Sequence, residues 1–451
     1  MGAAPLADPA ETLPAVNPSI SDYRALDFRR PKPLPKGLDA IVNRCVGLHQ
    51  RRPGQLKSLA AEAERIDDQA AEFAGCSNHD LAQRLLAMRD ALRRNASDPH
   101  ADVTTPLAAI REMAERTLGL RPFPVQLMGA LALHRGFLVE MATGEGKTLT
   151  AGLAAVLAGW TGRPCHIITV NDYLVERDAN WLAPLYHACG VRVGFVTGPM
   201  SPEQRQQAYS REVTYATSKE VLADFLRDRL RMGNLPSVTR RLVRQLLHPP
   251  TGRAEGLVLR GLHTAIVDEA DSVLIDEAVT PLIISSPHPN DSLREACTVA
   301  QTLVADWQPE ADYRVNPRYR EVELTHQGRQ RLESACRQFP GLWRGPDRRR
   351  ELVTQALVAR EFYLPDKQYI IQEGKIVIVD EFTGRPMPQR TWSQGLHQAI
   401  EAKAGVPVTD PTETIARLSF QRFFRCYHRL SGMTGTAREA AGEFWHVYAL
   451  P

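Results

Sequence analysis

The sequence predicts an α/β protein built on a parallel sheet, and three observations carry that expectation. Residues 141–148 read MATGEGKT, a glycine-rich turn set between an apolar run and a helical pattern. A second apolar run, Thr264-Ala265-Ile266-Val267, leads directly into Asp268-Glu269-Ala270-Asp271. Between these two landmarks short apolar stretches alternate with helical patterns, as they do in parallel sheets covered by helices on both faces. Together they indicate a RecA-like P-loop NTPase sheet with an N-terminal helical cap and an inserted, smaller α+β domain.

Taken in order, residues 1–36 are rich in Pro and Ala, the composition of a poorly ordered or extended leader. Helical periodicity follows. Leu56, Leu59, Ala63, Ile66, Ala70 and Phe73 recur at steps of three and four. Leu81, Leu85, Met88 and Leu92 repeat the pattern. A third helix is expected with Thr105 as N-cap and Pro106 at its first position, carrying Leu107, Ile110, Ala114 and Leu118. Strands are expected over 137–141, 165–170, 191–196, 213–216 and 264–267, with a helix over 149–160 after the glycine-rich turn. The alternation stops after Ser285-Ser286-Pro287. Beyond it, hairpins are expected from 313–315 with 321–324, and from 368–372 with 375–379, turned by Glu373-Gly374. Helices are expected again over 392–403 and 412–430. The domain reading is a leader (1–36), a first nucleotide-binding domain with its N-terminal helices (37–281), an insertion (282–380) and a return to the first domain (381–451).

Bulk properties narrow the class. With 43% apolar and 24% charged residues, the chain is that of a soluble globular protein. A net charge of +3 argues against a dedicated nucleic-acid coat, and the short runs Arg240-Arg241 and Arg348-Arg349-Arg350 read as solvated surface. Seven scattered cysteines, without Cys-x-x-Cys or a Cys/His cluster, give no zinc-ligand spacing and read as reduced thiols of a cytosolic protein. There is no secretory signal at the N-terminus. Leu6 stands where myristoylation of Gly2 needs Ser or Thr, and the longest apolar run, 149–160, is too short to span a bilayer.

The glycine-rich turn and the acidic tetrad are two halves of one nucleotide site. Backbone N–H groups of Thr143, Gly144, Glu145 and Gly146 can cradle phosphates at a helix N-terminus. Lys147 is placed to reach the β/γ-phosphates, and the Thr148 hydroxyl to ligate Mg²⁺. Asp268, nearest the sheet, is available to Mg²⁺ through water, and Glu269 can orient the attacking water and take its proton. Phe123-Pro124-Val125-Gln126 precedes the loop by fifteen residues; the loop resembles that of superfamily-2 helicase-like motors, and that resemblance implies that Gln126 reads an adenine edge below the apolar Phe123. Met433-Thr434-Gly435-Thr436 is small and hydroxyl-bearing, and the resemblance to superfamily-2 motors implies that it couples such carboxylates to a second motor lobe. It lies 166 positions after Asp268, so a whole domain separates two motifs that must meet in space.

These residues resemble the SecA family of protein-translocation motor ATPases. The resemblance rests on LGLRPFPVQLMGAL (118–131), VEMATGEGKTLTAGL (139–153), TVNDYLVERDA (169–179), IVDEADSVLIDEAVTPLIIS (266–285), IVDEFTGRPMPQRTWSQGLHQAIEAKAGV (378–406) and LSGMTGTA (430–437), in family order from about residue 40 to the end. It implies ATP and Mg²⁺ as cofactors, with Gln126, Gly144, Glu145, Gly146, Lys147 and Thr148 binding ATP, Arg177 near the site, and Asp268 and Glu269 hydrolysing it. It makes the insertion a preprotein-cross-linking domain, hinged at its crossings near 281–286 and 380–385. The implied partners are an unfolded preprotein or signal peptide, a SecYEG-type membrane channel, an acidic phospholipid surface and a second copy in a homodimer, with no specific nucleic acid. The implied location is cytoplasmic, at the inner face of the cell membrane. The chain departs from the family at Tyr215-Ala216-Thr217-Ser218-Lys219-Glu220 and at Leu226-Arg227-Asp228-Arg229, and carries a Pro-rich leader where the family has a membrane-touching helix. These changes mark a divergent or accessory member.

The sequence stops where SecA proteins continue into a second lobe with arginine fingers, which contribute a factor of about 10³–10⁵ in comparable motors. Weak hydrolysis is therefore expected until a second lobe, in cis or in trans, completes the site. Two other readings stay open from the residues alone: a nucleotide-responsive peptide-binding module, and a nucleic-acid motor suggested by the literal DEAD tetrad.

Overall fold

The computed structural model describes residues 28–94, 102–232, 257–337, 339–380, 383–387, 390–392 and 395–451. The leader as far as residue 27 and the Arg240-Arg241 run lie outside the described residues. The chain divides into two compact units, one formed by the segment up to Ile284 with Ala416–Pro451, the other by Ser285–Ile415.

The first unit opens with the helical cap: α1 (Leu38–Gln50), α2 (Pro53–Ala74), α3 (Asn78–Arg94), α4 (Thr104–Leu118) and α5 (Pro124–His134). Leu59, Ala63, Ile66, Ala70 and Phe73 of α2 are buried as their period requires, while Leu56 is exposed. Helix α4 begins one residue before the expected cap. Asp102 accepts the Thr104 N–H at 2.9 Å, which leaves Thr105 in the first turn, its hydroxyl donating to Gln69. A nearby carboxylate outcompetes the threonine as cap. The end of the leader is also tied down. Phe28 packs edge-on against Phe225, and the Arg29 N–H donates to the Cys426 carbonyl at 2.7 Å.

The core of this unit is a six-stranded sheet in the order β1 (Leu138–Glu140), β13 (Arg429–Thr434), β5 (Thr264–Asp268), β2 (Cys165–Thr169), β4 (Val213–Thr217), β3 (Val193–Val196). All neighbours are parallel. Every residue of β2 and β4 is buried, so the apolar runs read as strands are covered on both faces. The covering helices are α6 (Lys147–Trp160), α7 (Asp172–Ala188), α8 (Pro202–Tyr209) and α9 (Ser218–Met232), joined by α15 (Ala437–Tyr448) at the end of the chain. No helix among the described residues is long and apolar enough to cross a membrane.

One expected helix is absent. Residues 412–430 form strand β12 (Thr412–Ser419), a single turn α14 (Phe420–Phe424) and the start of β13. Strand pairing decides the outcome. β12 pairs with β6 (Pro281–Pro287), and β13 is inserted between β1 and β5 with Ser431, Gly432, Met433 and Thr434 buried. Local helical periodicity yields to a sheet that needs those backbone groups.

The second unit contains α10 (Asp291–Val304), hairpin strands β7 (Tyr313–Asn316) and β8 (Glu321–Leu324), α11 (His326–Cys336) and α12 (Pro346–Phe362). It continues with β9 (Tyr369–Gln372), β10 (Lys375–Val379), β11 (Pro386–Met387) and α13 (Leu396–Ala404). Glu373 and Gly374 turn β9 into β10 with φ of 51° and 73°, both positive as a two-residue type I′ turn demands. The unit runs past Asp380 to Ile415 because α13 packs on α10 and α12, and Lys403 closes the C-terminus of α12 by donating to the Tyr363 carbonyl at 2.7 Å.

Candidate nucleotide site

The site sits at the carboxyl ends of three adjacent strands. β1 delivers the glycine-rich turn, β5 delivers the acidic tetrad, and β13 lies between them with Met433 opposite Asp268 and Thr434 opposite Glu140. The Met141 N–H donates to the Thr434 carbonyl at 3.0 Å, extending the ladder into the turn itself. Motifs far apart in the sequence thus become neighbours through one inserted strand.

The turn is shaped by two glycines. Gly144 and Gly146 have φ of 93° and 84°, a region that costs other residues strain. A Cβ at Gly146 would also run into the Gln126 amide. Helix α6 starts at Lys147, so its first-turn N–H groups have no carbonyl within the helix and face the turn. This is the arrangement that favours an anion. Thr143 is exposed at the turn, close to Gly435.

Lys147 Nζ donates to Glu269 Oε1 at 2.6 Å. Glu269 has φ of 46°, an uncommon value for a side-chain-bearing residue, and its N–H donates to Asp268 Oδ1 at 3.0 Å. Burial pushes the Asp268 carboxyl up to about 6, the neighbouring Glu269 charge adds to that, and Lys147 opposes it. A carboxylate in this setting would suit a divalent cation held through water, with the Thr148 hydroxyl as a candidate further ligand. Among the described residues no three His, Cys, Asp or Glu side chains form a metal cluster by themselves.

The last residue of the tetrad is engaged as well. The Thr436 hydroxyl donates to Asp271 Oδ2, and the Thr436 N–H donates to Thr434 Oγ1 at 3.3 Å. Burial pushes the Asp271 carboxyl up, but hydrogen bonds from Thr436, Thr434 and the Ser272 N–H hold it below its ordinary value. Sequence reasoning expected the two segments to meet; the strand order supplies the Thr436–Asp271 contact through which they do.

Gln126 is buried, its oxygen taking the Phe123 N–H at 3.0 Å and its nitrogen donating to the Glu145 carbonyl at 2.8 Å. It therefore pins the glycine-rich turn to α5, while its oxygen keeps a lone pair and its nitrogen a proton. Phe123 is 68% exposed and offers a free ring face. Arg177 contacts neither the turn nor the tetrad; it pairs with Asp178, at 2.7 Å from Nη2 to Oδ1.

The SecA DEAD-like domain family matches residues 43–445. The chain is 46% identical over 433 residues to protein translocase subunit SecA 2 of Chlorobium chlorochromatii, covering 95% of this chain and 65% of that protein. It is 43% identical over 421 residues to protein translocase subunit SecA 2 of Magnetococcus marinus, covering 93% and 65%. With protein translocase subunit SecA of Alcanivorax borkumensis it shares 40% identity over 425 residues, covering 92% and 44%. The chain spans less than two thirds of the length of each of these relatives.

Proposed function

The chain belongs to the SecA family, and from that premise we propose that it is the ATP-binding part of a motor that moves unfolded preproteins through a Sec-type membrane channel. The observation that carries the reading is the meeting of Lys147, Asp268, Glu269 and the 434–436 segment at the ends of β1, β5 and β13. In this reading the turn 143–148 holds the phosphates, and Lys147 neutralises their charge. Thr148 and Asp268 hold Mg²⁺, whose charge offsets that of the phosphates. Glu269 takes the proton of the attacking water. Gln126 and Phe123 receive the adenine. Working location is the cytoplasmic face of the membrane, with acidic phospholipid and the channel as partners.

The second unit is proposed to receive the preprotein. Its β7–β8 hairpin and the β9–β10–β11 sheet have outer strands without a further strand among the described residues, and an extended chain can add to such edges with little sequence preference. The test supplies a second motor lobe to the chain and measures ATPase with and without an unfolded preprotein carrying a photo-reactive group. The reading expects low turnover for the chain alone, stimulation by preprotein in the completed motor, and labelling concentrated in residues 285–415. Labelling spread evenly over both units, or stimulation by RNA with no response to preprotein, would overturn it.

A further inference from the structure

Strand β1 is an outermost strand of the six-stranded sheet, and a groove of about 360 Å³ runs beside it. The walls of the groove are apolar: Leu56 from α2, Val125 and Met128 from α5, and Phe137 just before β1. Leu56 and Val125 are 59% and 47% exposed, so apolar surface is left open to water there. The remaining side is the edge of β1 itself. The Phe137 carbonyl accepts the Gly432 N–H at 3.4 Å, and the Met141 N–H donates to the Thr434 carbonyl at 3.0 Å, so both face β13. Strand alternation therefore turns the backbone groups of Leu138 and Glu140 outward. One rung on that side is already made, since the Leu138 N–H donates to the Pro451 carbonyl at 3.1 Å. The Leu138 carbonyl and the Glu140 N–H meet no backbone partner among the described residues. Native chains ordinarily cover or charge a strand edge bordered by apolar surface. Met141 and Glu145 of the glycine-rich turn line the same groove.

We propose that this groove is a docking surface for the second motor lobe, which lays an extended apolar segment along the outer edge of β1 as a seventh strand. The inference rests on the reading above, in which a second lobe completes the site, and adds where that lobe takes hold. Three observations choose this occupant. Outward backbone donors and acceptors in a row suit another strand, with side chains at alternate positions entering between Leu56, Val125 and Phe137. The Pro451 carbonyl on the Leu138 N–H shows that the edge takes an extended segment in this register. Finally, Met141 and Glu145 belong to both the groove and the turn, so a segment seated here touches the loop proposed to hold the phosphates. Engagement of the lobe and binding of the nucleotide thereby share one loop.

The test joins the full 451-residue chain to the part of the Chlorobium chlorochromatii relative that it does not match. The joined protein is compared with the chain alone by amide hydrogen exchange and by ATPase. Exchange at the Glu140 N–H should slow by about tenfold on joining, the scale of one backbone hydrogen bond. Glu140→Pro deletes that N–H and leaves the rungs to β13, a placement that an edge strand tolerates. Leu56→Asp puts a charge into the apolar wall. Each should cut the turnover gained on joining by about tenfold or more, the scale of one such bond, and L56D should also lose the slowed exchange at residue 140. Leu38→Asp, at a residue 80% exposed on α1 and outside the groove, should change neither. Should E140P fail to fold, L56D, which alters an exposed side chain, decides. Unslowed exchange at Glu140 in the joined protein, or parent-level behaviour of both groove variants, would overturn the inference. So would an unfolded preprotein that slows the same amide in the chain alone. Slowed exchange at Glu140 with turnover no higher than that of the chain alone would overturn the motor reading instead and leave the docking surface standing.

Discussion

Lys147 and Glu269 hold each other at 2.6 Å, so the proposed phosphate-binding cation and the proposed general base neutralise one another. Their side chains are unequally exposed, 12% for Lys147 and 41% for Glu269. A polyphosphate that draws Lys147 away therefore releases a carboxylate that water can already reach.

Substituting Glu269→Gln tests that link. The amide keeps the shape but cannot accept a proton at neutral pH. Turnover in the completed motor should fall by about 10²–10⁴, the usual cost of losing a general base. Mg-ATP affinity should be no weaker than in the parent, because Lys147 no longer has to leave an anionic partner. Parent-level turnover in a folded E269Q chain would remove Glu269 from the role.

Asp268 gives a pH dependence with a definite sign. Its carboxyl lies at about 6 in the folded chain against an ordinary 3.8, so between those values the folded state binds the extra proton. The stability this contributes is full below the ordinary value and lost as pH rises through about 6. D268N, which carries no charge, should therefore melt higher than the parent at pH 8 by the equivalent of about 2–3 kcal/mol. That advantage should shrink to about 0.5 kcal/mol at pH 4 and vanish below the ordinary value. Mg²⁺ competes with the same proton, so metal-dependent ATP affinity should decline as pH drops below about 6. A melt difference that is constant with pH would contradict the assignment.

Gly47 is where α1 rests on α15. A Cβ there would lie 2.5 Å from the Trp445 ring, whose Nε1 donates to the Asn43 carbonyl at 2.6 Å. Gly47→Ala should displace α1 and destabilise the first unit by about 1–3 kcal/mol, the range for overpacking. Denaturant unfolding and hydrogen exchange over 38–50 measure this. Unchanged protection of that helix would show that the contact does not hold it.

The parallel sheet and the chemistry-bearing turn were legible because each depends on local pattern. Apolar runs of four or five residues, Gly144 and Gly146 with positive φ, and an acidic strand end all leave their mark in a short window. Residues 412–430 were not legible as strands, since β12 and β13 exist through partners at 281–287, 138–140 and 264–268. Within the site, the Lys147–Glu269 pair and the Thr436–Asp271 bond are likewise tertiary facts. The Asp102 cap of α4 was missed for a different reason: a threonine followed by proline is the stronger local signal, and the competing carboxylate lies two residues before the helix.

The central claim is that the turn at 143–148 and the tetrad at 268–271 form one nucleotide site organised by Lys147, and calorimetric titration of the folded chain with Mg-ATP tests it most directly. The parent and E269Q should both bind, while Lys147→Ala should melt within a few degrees of the parent and show no saturable heat at nucleotide concentrations that saturate it. K147A binding Mg-ATP with the parent's affinity would contradict the account.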